Sequence, residues 1–287
     1  MHSSLRLGFL AVLAGSFLFA DATFDQTVKY TGGSLLQITR MMANNPMVGR
    51  KGGATALSAF QDQTFKVYIK GSKMARVGPA ASTITDLDAG TITILNHERH
   101  TYSTQTFAEM QQRLDQMQQR MDRGQGGHVQ FDVKIDKTGK TQEIDGQTAT
   151  ETMVTLTAKP GSANSQMVVK MNSWLIPLNT TAREAVDYLK RLSEKFSVGV
   201  AGPPGFGAAA SGISAATNAG LQLDGYPVLS DLEISGVSAP MAGSDSSAPF
   251  LTTETRSSNF GSGPVDDSQF AIPPGYTQEE SRGGPRQ

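Results

Sequence analysis

The chain has 287 residues, of which 38% are hydrophobic and 18% charged, with a formal net charge of −1. That is enough apolar content for a core in one large or two modest domains. The balanced charge argues against a general attraction to nucleic acid or to an anionic membrane surface. Cysteine is absent, which excludes disulfides, a thiol nucleophile and a lipid-attachment thiol.

Residues 1–22 read as a signal peptide. Arg6 supplies a positive start, an apolar run follows, and Ala20-Asp21-Ala22 fits the small-x-small pattern for cleavage after Ala22. An uncleaved anchor is the alternative. No later segment approaches the ~20 apolar residues of a membrane-spanning helix, so the expected location is periplasmic or secreted, with no transmembrane segment after removal of the leader. A single domain is expected over 23–276 and a flexible tail over 277–287.

Strands are predicted at 24–30 and 35–41, separated by the turn signal Thr31-Gly32-Gly33. A loop rich in Asn, Gly and Pro is predicted over 44–56. Alternating apolar positions then predict strands at 65–69, 83–87 and 91–95. At Thr106 the period changes. Phe107, Met110, Leu114, Met117 and Met121 recur at three- and four-residue steps, the stripe of an amphipathic helix. Thr106-x-x-Glu109 opens it as a capping box, in which each side chain satisfies the other's free backbone donor, and Gly124 is placed to end it.

Val129, Phe131, Val133 and Ile135 alternate as a strand, with a turn at Thr138-Gly139. Strands at 148–157 and 167–174 continue the sheet. Polar residues on the opposite face predict a sheet solvated on one side. A second helix carries Val186, Leu189, Leu192 and Phe196 after an apparent capping box, Thr181-x-x-Glu184. Residues 199–220, rich in Gly and Ala, read as a surface loop. The last strands are predicted at 221–223, 228–234 and 250–256, with little order over 257–264.

The segments VYIKG-x-KMAR, DLD-x-GTITIL and TYS-x-x-TF-x-EM, with VKIDKTGKTQEIDGQTATE, NSWLIP and FAIPPGY, carry a family resemblance. Over roughly Phe65 to Tyr276 the chain resembles a family of exported bacterial proteins of unknown function. Its members are thought to share the fold of the lipoprotein carriers LolA and LolB. The resemblance implies an α+β fold: a strongly curved antiparallel sheet forming a half-open barrel, with two amphipathic helices on its concave face. Fold alone does not fix function.

Candidate chemistry is sparse. His97 and His100 stand three apart in a predicted turn and are weak candidates for metal ligands, with His128 or a distant carboxylate as a third. No Gly-x-Ser-x-Gly elbow is present, and Asp266-Asp267 and Glu279-Glu280 lie in loop or tail sequence that gives paired carboxylates no rigid frame. Gly205-x-Gly207 completes no phosphate-binding pattern. Asn179-Thr180-Thr181 matches a glycosylation sequon by pattern only. Methionines are more informative, because thioether side chains adapt to irregular apolar shapes. The expectation is a non-enzymatic exported protein, without a cofactor, that binds a lipid, acyl chain or other apolar ligand in a groove between sheet and helices. Phe107, Met110, Leu114, Met117, Met121 and Trp174 are the candidate lining residues. An ordinary methionine-rich core is the competing reading of the same stripe. An envelope scaffold with a filled core, docking on an envelope protein, is one alternative function; a metal-assisted hydrolase is another.

Overall fold

The computed structural model describes residues 21–43, 60–123, 129–160, 166–195, 207–237 and 248–279. Among them, twelve strands form one open sheet in the order β12-β6-β5-β4-β3-β2-β1-β11-β10-β9-β8-β7. Every pairing is antiparallel except β12 on β6. The fold is therefore α+β.

The first half of the chain is a meander: β1 (Ala22–Gly32), β2 (Gln63–Lys70), β3 (Lys73–Val77), β4 (Ala81–Asp86), β5 (Thr91–Asn96) and β6 (Thr101–Thr106). The second half repeats the pattern with β7 (Phe131–Ile144), β8 (Gln147–Ala158), β9 (Val168–Ile176), β10 (Tyr226–Ser235) and β11 (Leu251–Ser262). Pairing of β11 with β1 joins the halves. The two-residue β12 (Thr277–Gln278) comes from the end predicted to be a free tail, and residues 280–287 lie outside the described residues. Ala22, the last residue of the expected leader, is fully buried in β1 opposite Ile69 and Ser262, and the Asp21 carboxylate accepts from Val265 N at 2.7 Å.

Several expectations are corrected. Residues 35–41 are not a strand but lie in helix α1 (Ser34–Ala43). Gly33, at φ +107°, lets the chain pass against Phe250, and Ser34 N and Leu35 N donate to the carbonyls of Pro249 and Phe250. Those bonds satisfy donors that a helix start leaves open. The predicted turn at Thr138-Gly139 is a bulge inside the continuous β7; the chain turns instead at Asp145-Gly146, both at positive φ. Asp-Gly is a strong two-residue hairpin signal. Residues 221–223 form turns rather than a strand, and residues 257–262 continue β11 rather than losing order. Of the predicted 199–220 loop, residues 207–220 form helix α4 (Gly207–Gly220). Residues 44–56 and 199–206 lie outside the described residues.

Helices α2 (Phe107–Arg123) and α3 (Thr180–Lys195) lie where the apolar periodicity places them. The first capping box is present: Glu109 N donates to Thr106 Oγ1 and Thr106 N to Glu109 Oε2. The second is not. Asn179 caps α3, its Oδ1 accepting from Ala182 N at 2.8 Å, while Thr181 and Glu184 are buried. Thr181 falls inside the first turn, two residues past the cap position of a helix that begins at Thr180.

The sheet is solvated on one side, as expected, over β8–β11 and β1, where Met153, Lys170, Asp231, Glu254 and Lys29 share a polar face, but β2–β5 are covered on both. In β2–β5 the registers run without a break, so alternate residues face opposite ways. Val67, Ile69, Met74 and Ile92 face the cluster under α3, which includes Ala182, Ala185 and Tyr188. Tyr68, Ala75, Ile84 and Leu95 face the other way, under Phe270 and Tyr276. In β8–β9 only one end of the polar face is covered. Ala149, Trp174 and Ile176 join the α3 cluster, whereas Val154, Leu156, Val169 and Leu175 pack under α4 with Ala216 and Ala219. Helices α1 and α4 cover the apolar row of β8–β11, and the C-terminal run covers β3–β5 on the side away from α3.

Candidate functional site

The α3 cluster is where the candidate residues meet. Phe107 is buried in it, and Met110 and Trp174 pack against it with Leu192 of α3. Leu114, Met117 and Met121 share the helix α2, but their side chains lie outside the described residues. The helices reach the sheet differently. α3 packs against β1, β2, β10 and β11, while α2 touches it chiefly at β6. Helix α2 thus stands at the border of the sheet rather than across it.

Side chains near the C-terminal end of α3 tie it to two hairpin loops. Tyr188 donates its hydroxyl to the Thr85 carbonyl at 3.2 Å, Arg191 donates to Gly71 O at 3.0 Å and Lys195 to Leu87 O at 2.8 Å. Burial pushes the Tyr188 hydroxyl far above its ordinary pKa, so it stays a neutral donor. Glu184, one turn below, is buried with Oε1 lacking a hydrogen bond and Arg191 at 3.5 Å. Desolvation raises its pKa, and Arg191 works in the opposite direction.

Two other charged side chains with buried atoms project from strands. Glu151 of β8 is only 4% exposed. The bulge in β7 aims Thr138 and Lys140 at it, with Thr138 Oγ1 at 2.7 Å and Lys140 Nζ at 3.0 Å, and Asn172 Nδ2 donates at 3.0 Å. The Thr138 hydrogen bond, above all, holds the carboxyl below its usual range. Every charge here has a partner.

Arg76 of β3 is different. It stands opposite Val67 on the α3 side of the sheet, donates Nη2 to Gln26 Oε1 at 2.9 Å, and lies 4.4 Å from the centre of the Phe65 ring. Its Nε is buried without an acceptor, and among the described residues no carboxylate pairs with it. Burial lowers its affinity for its proton, and the groups that work against this are Tyr226 and Tyr30. Burial pushes the Tyr226 hydroxyl up to about 12, so that ring stays neutral and supplies no counter-charge. Tyr226 packs edge-on against Phe24 and Phe260. A guanidinium is thus set in an aromatic wall with an unused donor. Arg76 was not among the candidates read from the sequence. The signal was available: an arginine at an inward position of an alternating strand, where charged residues seldom go unpaired.

The histidines serve the C-terminal segment. His97 Nε2 is 2.7 Å from Ser82 Oγ and Nδ1 is 2.6 Å from Tyr276 OH, which occupies both ring nitrogens. His100, at φ +51°, sits against the Tyr276 ring and its carbonyl accepts from Thr277 N. Among the described residues no three histidine or carboxylate side chains gather as a metal site, and no helix is long and apolar enough to cross a membrane.

No protein-family model and no curated protein matches the sequence. A solved structure described as "Structure of PNGF-II in C2 space group" aligns with a TM-score of 0.31 and 8% identity, over 91% of this chain and 31% of that one. The chain spans about a third of that protein's length, and a likeness of this degree carries no argument about fold or activity.

Proposed function

We propose that this is an exported, non-enzymatic binding protein for an acyl chain or similar apolar ligand that ends in a carboxylate. Arg76 carries the reading. A partly buried guanidinium whose Nε is fully buried, and which has no counter-charge among the described residues, is costly, because desolvation is not repaid by a partner. A ligand carboxylate would supply that partner, and arginine offers a fork of donors that suits it. The tail would lie along the apolar face shared by Phe24, Phe260, Tyr226, Trp174, Met110 and Phe107, each buried methylene contributing about 0.8 kcal/mol. In this reading the open sheet bends into a half-barrel of the LolA/LolB kind, α2 and α3 border its mouth, and the apolar leader ahead of β1 directs export to the periplasm or beyond.

The test is to extract the purified protein with organic solvent, identify bound lipids by mass spectrometry, and titrate the stripped protein with a fluorescent fatty acid and its methyl ester. The acid should bind at least about tenfold more tightly than the ester, the gain expected of charge-assisted hydrogen bonds. Equal binding of acid and ester would remove Arg76 from the site. Absence of both extracted lipid and uptake would sink the whole reading and favour a rigid scaffold.

A further inference from the structure

The two margins of the sheet end differently. β6 is covered by β12, fixed by Thr277 N to His100 O and Glu279 N to Tyr102 O. β7 is the last strand at the other margin. Opposite Ala158, Leu156 and Val154 of β8 it places Phe131, Val133 and Ile135, extending the apolar row that α4 covers. Val133 is 55% exposed and Ile135 40%. The other face of the strand carries Asp132, Lys134 and Asp136. Beyond Lys137 the register breaks at the bulge, which bends an edge away from further pairing. Among the described residues, Phe131 to Asp136 is therefore the regular stretch left open.

We propose that this edge pairs with the same edge of a second copy, antiparallel about a two-fold axis through Val133. Charge complementarity selects that partner and that register. With Val133 opposite its equivalent, Phe131 faces Ile135 on one side of the joined sheet. On the other, Asp132 faces Lys134, and each of these contacts occurs twice. Moving the axis to Lys134 would set lysine on lysine and Asp132 on Asp136. Moving it to Ile135 would set Val133 against Lys137. A one-residue slip would turn the apolar row to the wrong face. Within the chain, Lys134 pairs with Asp136 at 2.7 Å and Asp132 with Lys159 at 3.5 Å. Lys134 and Asp132 are well exposed, so these pairs hold them weakly and the exchange costs little. This interface does not depend on the ligand.

Sedimentation equilibrium of the purified protein, from micromolar to millimolar concentration, tests the pairing. The expected result is a reversible dimer. Val133→Lys sets two ammonium groups on the axis and should raise the dissociation constant at least about tenfold. Asp132→Lys alone and Lys134→Asp alone should each weaken the dimer, whereas the double exchange D132K/K134D should restore it. Circular dichroism verifies that these variants, all changed at exposed positions, remain folded. A monomer at every concentration would overturn the proposal. So would a dimer indifferent to Val133→Lys, or a double exchange no tighter than either single variant.

Discussion

Glu151 and Arg76 project from strands in different parts of one sheet, and their surroundings are opposites. Glu151 is met by Thr138, Lys140 and Asn172, two of them aimed by a backbone bulge shaped for the purpose. Arg76 has one glutamine and an aromatic wall, with a buried donor left over. A charge that the chain satisfies is part of the scaffold. A charge that the chain buries and leaves incomplete is a place for something else.

Ligand affinity should separate the two most. Arg76→Met should lower affinity for a long-chain fatty acid by about a hundredfold in a fluorescence titration, the loss of up to about 3 kcal/mol of charged hydrogen bonding. Glu151→Gln should leave it within about twofold. Equal losses in both variants would erase the distinction. Thermal stability should move the opposite way. Glu151→Gln strands Lys140 and lowers Tm, whereas Arg76→Met, measured without ligand, removes an uncompensated charge and raises Tm. The sign with pH follows from the lowered Glu151 pKa. Its stabilisation is present above the ordinary carboxylate range and fades as pH falls through the lower folded value, so the gap between wild type and Glu151→Gln should close in acid.

A smaller effect is expected from Tyr188→Phe, which takes the hydroxyl from Thr85 O and loosens α3 over its apolar cluster. The cost should be about 1–2 kcal/mol, or a Tm lower by about 2–8 °C in calorimetry. Smallest is Glu184→Gln. Burial raises the Glu184 pKa, so its favourable contribution is present at low pH and is lost as pH rises through the folded value. The variant should be slightly more stable than wild type at pH 7 and equal to it in acid. A variant less stable at pH 7 would show that Arg191 satisfies Glu184 as fully as Lys140 satisfies Glu151.

The amino-acid pattern was most legible where one rule acted alone. Alternation placed strands through Val67 and Ile69, Ile92 and Ile94, and Phe131 to Ile135, and the Thr106/Glu109 box marked the start of α2 to the residue. Exposure of Val133 and Ile135 was not legible, because alternation tells which residues share a face and not whether the strand lies at a margin. α1 was taken for a strand because Leu35, Leu36 and Thr39 fit a helical face only when Gly33 lets the chain dock on Phe250. α4 was taken for a loop because its Gly, Ala and Ser residues carry no clear stripe. Those small residues let it lie close: a Cβ at Gly212 would stand 2.7 Å from the Met167 methyl and 2.8 Å from a Val169 methyl.

By itself, then, the sequence determined the class of fold, most strands, the two amphipathic helices and the absence of any covalent staple, since these follow from local periodicity and composition. Only the tertiary structure decided which charges are answered, which margin of the sheet stays open and what covers its second face. Those depend on residues brought together from distant parts of the chain, such as Gln26 with Arg76, Thr138 with Glu151, and Tyr276 with His97. No local pattern encodes such encounters.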